Sequence, residues 1–299
     1  VHAKTGAIHR KEPKMKKRGI KRAAVITYSQ TGHTRLYGRL VAAVWRQEGI
    51  ETSEADVRDF PLDSLASFDL VMAGTPVFYY DVPENVIEHL SAAPSLDGVS
   101  AAAFATYGGE GGNQRNTARR LLSLLVGRGA VPAGTEVFGN MSTFAPTWSL
   151  GNEGRILRYR DLPDAETFRR VRKFAKLALA RATDGTRIMP GRELSIPDLI
   201  KGRPSVAFTK FFVGRHRIDQ AACTRCGVCE KGCPVGAIGL AAFAVDRKRC
   251  IACFGCVNNC PAGAVDMTYL GKPLYGFSDF RKRHRIVIRK PEELKGKTG

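Results

Sequence analysis

The 299-residue sequence has no cysteine before residue 223 and none after residue 260; all eight lie between. A secreted scaffold held by disulfides is short and spreads its cysteines along the chain. This clustering instead indicates metal ligation in a reducing compartment, and so a cytoplasmic protein. Long apolar runs are also missing. The longest, such as Ala101–Thr106, are strand-sized, well short of the roughly 20 residues that a spanning helix needs. No secretory leader is evident either. The basic stretch before Ala23–Tyr28 leads into an apolar run too short for a leader and without a cleavage site. Met15 is an alternative start, which would make residues 1–14 an upstream extension. The chain is long enough for about two ordinary domains.

Charge of one sign is absent from the larger part of the chain. Residues 23–183 hold 17 basic and 17 acidic side chains. The formal excess of +19 sits elsewhere: +8 in residues 1–22, +3 in 184–215, +2 in 216–270 and +6 in 271–299. Basic ends of this kind are either solvated tails or a handle for an acidic partner protein. Nucleic acid or an anionic surface would be drawn by the same charge.

The cysteines form two matching runs. Cys223, Cys226, Cys229 and Cys233 precede Pro234, and Cys250, Cys253, Cys256 and Cys260 precede Pro261. Both runs read C-x2-C-x2-C-x3-C-P, the spacing of bacterial [4Fe–4S] proteins. Three cysteines at that spacing wrap one face of a cubane. The fourth points away, because the chain turns at the proline, and reaches the other cluster. Cluster 1 is therefore expected on Cys223, Cys226, Cys229 and Cys260, and cluster 2 on Cys250, Cys253, Cys256 and Cys233. Zinc is the competing reading, but zinc sites use paired C-x2-C knuckles with four sulfurs per metal. The repeat extends beyond the cysteines. Ile218-Asp219 stands before Cys223 as Val245-Asp246 stands before Cys250, and Pro234–Ile238 matches Pro261–Val265. Two such halves predict pseudo-twofold symmetry. Residues 216–268 resemble the bacterial two-cluster ferredoxins, except that those are usually acidic and this region is mildly basic.

Residues 23–183 alternate strand and helix patterns. Ala23–Tyr28, Thr52–Val57, Phe68–Gly74, Ala101–Tyr107 and Glu136–Gly139 read as strands. His33–Gln47, Glu84–Leu90, Asn113–Gly127 and Asp164–Ala182 read as helices; Leu36, Leu40, Val41 and Val44 share one face of the first. Trp45 reads as core, and Trp148 falls in a long loop. Apolar strands alternating with helices predict a doubly wound parallel sheet, covered on both faces. Ligands of such sheets bind beyond the carboxyl ends of the strands. Three loops share that edge. Ser29-Gln30-Thr31-Gly32-His33-Thr34 offers hydroxyls and free amides at a helix start, suited to a phosphate without Lys or Arg. Pro76-Val77-Phe78-Tyr79-Tyr80 is aromatic. Tyr107-Gly108-Gly109 opens a glycine-rich run that leads to Asn113. Aromatics beside a phosphate cradle suit a flat ring system. Asp81 and Glu110 are the only acidic candidates for acid–base chemistry near these loops.

The first loop resembles the flavodoxin phosphate loop, [S/T]-x-T-G-x-T, and the resemblance covers residues 22–183. It implies an FMN site. Ser29, Thr31, Gly32, His33 and Thr34 would hold the phosphate, and Gln30 would belong to the same FMN site. Pro76, Val77, Phe78, Tyr79, Tyr107, Gly108, Gly109 and Asn113 would lie near the ring. Over its whole length the chain resembles the flavodoxin–ferredoxin fusion proteins of anaerobes. The expected layout is a basic tail (1–21), an α/β flavodoxin-like domain (22–183), a linker (184–215), a small α+β two-cluster ferredoxin domain (216–270) and a basic extension (271–299) lying along the domain interface. The expected role is electron transfer between FMN and two [4Fe–4S] clusters and a redox partner with an acidic docking surface, with no nucleic acid. A flavin reductase with its own substrate is the alternative, and a docking module with an empty flavin site is a second.

Overall fold

A computed structural model describes residues 18–109, 113–194 and 206–294. Residues 1–17 of the expected tail and Glu110–Gly112 of the glycine-rich run lie outside the described residues.

The N-terminal domain is a five-stranded parallel sheet: β1 (Arg22–Thr27), β2 (Glu51–Asp56), β3 (Leu70–Pro76), β4 (Ser100–Tyr107) and β5 (Val131–Gly139). Its order is β2-β1-β3-β4-β5, the flavodoxin-like doubly wound order. Every residue of β1 after Arg22 and the first seven of β4 are buried, as helices on both faces require. The helices are α1 (His33–Gln47), α2 (Glu84–Ser91), α3 (Gln114–Val126), the short α4 (Ala145–Ser149) and α5 (Glu153–Leu157), and α6 (Ala165–Asp184). Asp164 caps α6 by accepting from the Thr167 amide at 2.8 Å, and Gly185 ends it in the left-handed region, the stop that a residue without Cβ favours. Trp45 is core as expected, its indole donating to the Ala175 carbonyl at 2.9 Å.

Two sequence readings need correction here. Strand β5 begins at Val131, five residues before the expected Glu136. Pro132 and Gly134 hide its start, and an edge strand tolerates both. Trp148 lies in α4 and is buried.

The C-terminal part builds a three-stranded antiparallel sheet from β6 (Val213–Ile218), β9 (Val265–Tyr269) and β10 (Lys272–Pro273), and a small pair from β7 (Ile238–Gly239) and β8 (Ala244–Val245). Ile218 pairs with Val265 as Val245 pairs with Ile238, so the repeat in the sequence is a repeat in space. Short helices α8 (Val228–Lys231) and α9 (Gly255–Asn259) each carry a third cysteine. The end of the expected linker is structured: α7 (Val206–Phe212) runs directly into β6. Residues 195–205 lie outside the described residues.

The two parts share a hydrophobic core. Met141, Ala145, Trp148 and Ile156 from the first pack with Phe254, Val257, Met267 and Tyr269 from the second. The extension wedges into the same core through α10 (Phe277–Arg283). Phe280 stacks on Trp148 at 4.9 Å, and Phe277 meets His33 edge-on at 5.7 Å. The expected extension therefore lies against both parts. No helix among the described residues is long and apolar enough to cross a membrane.

Candidate functional site

The three loops predicted from sequence meet at one cavity of about 570 Å³. It is lined by Ser29, Gln30, Thr31, His33 and Thr34, by Pro76 to Tyr80, and by Tyr107, Gly108, Gly109 and Asn113. Gly32 is not on the wall. It stands at the N-cap of α1 with φ 97°, and its amide donates to the Ser29 hydroxyl at 3.1 Å. That left-handed turn needs a glycine and points the first amides of α1 out of the helix, unpaired within it. No acidic side chain occupies the first turn of α1. Thr34 is anchored on β4 by a hydroxyl contact with Thr106 at 2.8 Å. His33 is buried, its Nδ1 3.3 Å from the Thr31 hydroxyl, and its Nε2 has no hydrogen-bond partner in the protein. Burial, and then the charge of Arg281, push its imidazole down to about 4, so it is neutral.

The aromatic loop is a tight hairpin. Phe78 and Asp81 exchange backbone hydrogen bonds at 2.9 and 2.8 Å, with φ 47° at Tyr79 and 65° at Tyr80. Both central residues lie at positive φ, where Asn-Gly is usual and bulky side chains are strained. Tertiary bonds hold it. The Tyr79 hydroxyl donates to the Ala252 carbonyl at 2.7 Å, and the Asn113 amide donates to the Tyr80 carbonyl. Phe78 turns inward onto Tyr28. Asp81 pairs with Arg120; Glu110 lies outside the described residues. Gly108 packs against the next loop, where an added Cβ would lie 2.0 Å from the Ser142 nitrogen.

Much of the wall was not read from sequence. Asn140 to Phe144, Thr147, Arg155, Arg158 and Tyr159 line it after β5, and Phe208, Thr209, Ala252, Cys253, Phe254 and Tyr269 line it from the second part. Arg155 and Arg158 stand three apart around α5, so cations face a cavity whose Ser29–Thr34 loop has none. That spacing was the one available signal, but nothing in the sequence showed that α5 reaches this edge.

The cysteines surround two smaller cavities. One is lined by Cys223, Cys226, Cys229 and Cys260, the other by Cys233, Cys250, Cys253 and Cys256. Among the described residues no three His, Cys, Asp or Glu groups converge closely enough for a single metal ion. Backbone amides aim at the sulfurs in matched pairs: Arg225 to Cys223 and Ala252 to Cys250 at 3.4 Å, and Ala264 to Cys260 and Ala237 to Cys233 at 3.2 Å. Burial pushes the Cys253 thiol up to about 12 and raises Cys256 and Cys250. Cys226 is exposed, and its thiol is lowered, chiefly by the Val228 amide. Cys253 belongs to both the large cavity and the second cysteine cavity.

A family model described as a 4Fe-4S dicluster domain matches residues 215–261, a span that holds all eight cysteines. The chain has the layout of a flavodoxin–ferredoxin fusion. Its flavodoxin-like part rests on the strand order above. Among solved structures, the chain is similar to a short-chain flavodoxin associated with a non-canonical PDU bacterial microcompartment, at 14% identity and TM-score 0.42, over 55% of this chain and 99% of that one. It is also similar to the Streptococcus pneumonia TIGR4 flavodoxin, at 16% identity and TM-score 0.42, over 54% and 99%. A third is the two-electron reduced Megasphaera elsdenii flavodoxin, at 20% identity and TM-score 0.39, over 53% and 98%. No curated protein matches the chain.

Proposed function

We propose that this chain is an electron-transfer protein that holds FMN in the large cavity and a [4Fe–4S] cluster in each cysteine cavity. The observation that carries the reading is the double position of Cys253, on the wall of the large cavity and among the four thiols of cluster 2. A redox group in the cavity would sit one side chain away from that cluster. FMN takes up one or two electrons and a cubane exchanges one at a time, so the pair converts between the two.

The residues fit both groups. For FMN they supply an uncapped helix start, hydroxyls at Ser29, Thr31 and Thr34, an unpaired buried nitrogen on His33 and aromatic walls at Tyr79 and Tyr107. For the clusters they supply four thiols each, with amides aimed at sulfur. Buried thiols must lose their protons to become ligands, so cluster binding releases protons. We take residues 22–183 as the flavin domain, and start the cluster domain at Val213.

Cluster 1 is the outlet to a partner, because Cys226 is its exposed ligand. Arg225 and Lys231 flank that edge, which suits an acidic redox protein. A reductase with its own substrate is the second reading. Arg155 and Arg158, which line the cavity, favour it by offering two guanidiniums to a small organic anion.

The first test is acid extraction of anaerobically purified protein for iron, sulfide and flavin. About eight irons per chain and one FMN are expected. Iron without any flavin that can be restored would sink the flavin part. Turnover of small acceptors at rates above those of free FMN would favour the reductase.

A further inference from the structure

His216 stands on β6 between two ligands of the second cysteine set. Its Nε2 lies 3.5 Å from the Cys256 sulfur, and its Nδ1 lies 4.0 Å from the Cys250 sulfur. The residue is buried, and it lines the second cysteine cavity opposite Met267, its partner across the β6–β9 ladder.

The internal repeat shows how unusual this is. Ile218 corresponds to Val245, so His216 corresponds to Phe243 in the other half. The backbone treats the two sets alike: each receives one amide at 3.4 Å and one at 3.2 Å, from matching positions. These donors are common to both halves. The imidazole is not. Around the first set Phe243 is not on the wall, which beside its cysteines carries Ile218, Thr224, Val228, Leu240 and Val265 and no histidine.

A cysteine sulfur that ligates iron has lost its proton and can only accept. Both ring nitrogens face such sulfurs, and Nε2 is the closer, at 3.5 Å against 4.0 Å for Nδ1, so the geometry favours the proton on Nε2. Donors to cluster sulfurs favour the reduced, more negative state and raise the potential. We propose that His216 donates an Nε2–H hydrogen bond to the Cys256 sulfur, and so raises the reduction potential of cluster 2 alone. It acts through the ligand, as a positioning and tuning residue. The inference rests on the two-cluster reading above. Solvent at Cys226 also raises the potential of cluster 1, so the effect of His216 shows in the shift of cluster 2 between variants and not in the difference between the two clusters.

The experiment is an EPR-monitored redox titration of the full-length protein with intact clusters, as wild type, His216→Phe and His216→Gln. Phe copies the repeat and removes the donor; Gln keeps an N–H. Expected for His216→Phe is a fall of about tenfold in the reduction equilibrium of cluster 2, equivalent to 59 mV for a one-electron couple. Cluster 1 stays unchanged and Gln recovers part of the shift. Equal shifts at both clusters, or none, would overturn the proposal. Should His216→Phe lose its iron, wild-type protein carrying ¹⁵N-histidine decides the matter. Pulsed EPR of reduced cluster 2 must then show coupling to an imidazole nitrogen, and its absence overturns the proposal. Fewer than about eight irons in the wild type would instead count against the two-cluster reading itself.

Discussion

The Tyr79 hydroxyl donates to the Ala252 carbonyl at 2.7 Å across 173 residues of sequence. It ties a strained hairpin of the first domain to the loop that presents Cys253. Gln30 makes the parallel tie from the Ser29–Thr34 loop. Its amide nitrogen donates to the Cys253 carbonyl and its oxygen accepts from Asn258 at 3.1 Å. Two of the proposed flavin loops are thus fastened to one cysteine loop, which fixes the distance between the large cavity and the second cysteine set.

Tyr79→Phe keeps the ring and removes that bond, leaving the Ala252 carbonyl unpaired. A cost of about 1–2 kcal/mol is expected, read as a drop of a few degrees in Tm by circular dichroism. An unchanged Tm would mean that the contact adds nothing to stability.

Trp148→Ala should be far more damaging. The side chain is 1% exposed, packs on Phe277 and Phe280, and donates to the Tyr275 carbonyl at 2.9 Å. Loss of a buried Trp costs about 3–5 kcal/mol, measurable by denaturant unfolding. Truncation before Tyr275 should uncover the same indole. In a Trp45→Phe background its fluorescence then shifts to the red; an unshifted spectrum would place the extension elsewhere.

Gly108→Ala and Gly109→Ala form a matched pair. The added Cβ at 108 would meet the backbone of Ser142, whereas at 109 nothing lies within 4 Å. Gly108→Ala is expected to displace the loop at Ser142, to destabilise by about 1–3 kcal/mol and to weaken flavin binding. Gly109→Ala should leave the loop and its stability unchanged. Flavin fluorescence quenching and thermal melting read both, and equal behaviour of the two variants would refute the assignment of roles.

His33 makes stability depend on pH. Its imidazole titrates at about 4 when folded, chiefly through burial, and near 6.5 when unfolded. The unfolded chain therefore binds more protons between these values, and stability rises with pH there. The contribution is complete above about 6.5 and falls away as pH drops towards about 4, by on the order of 3 kcal/mol. In protein freed of flavin, His33→Asn should flatten this slope in denaturant titrations from pH 4 to 7. Parallel slopes for wild type and variant would assign the dependence to other groups.

The elements of the first domain were legible because their patterns are local. His33–Gln47 was read to the residue, since an apolar face at helical spacing needs no tertiary partner to be recognised. The start of β5 was not, because Pro132 and Gly134 break the strand pattern and only an edge position explains them. The loop at the start of α1 was legible through Ser29, Thr31, Gly32 and Thr34, and it does line the large cavity, with Gly32 set back from the wall. The wall from Asn140 to Tyr159 was not legible, for want of any periodic signal in a segment whose short helices are held by contacts with the extension.

The sequence by itself determined the two cysteine sets and their symmetry, because spacing of three along a turn governs which sulfurs can face one centre. It also determined the parallel sheet, through apolar strands that alternate with helices. Only the tertiary structure decided that Cys253 faces the large cavity, that His216 lies against the Cys256 sulfur, and that Trp148 anchors the C-terminal extension. Each of those depends on residues far apart in the chain brought together by burial of a shared core, and burial carries no address along the sequence.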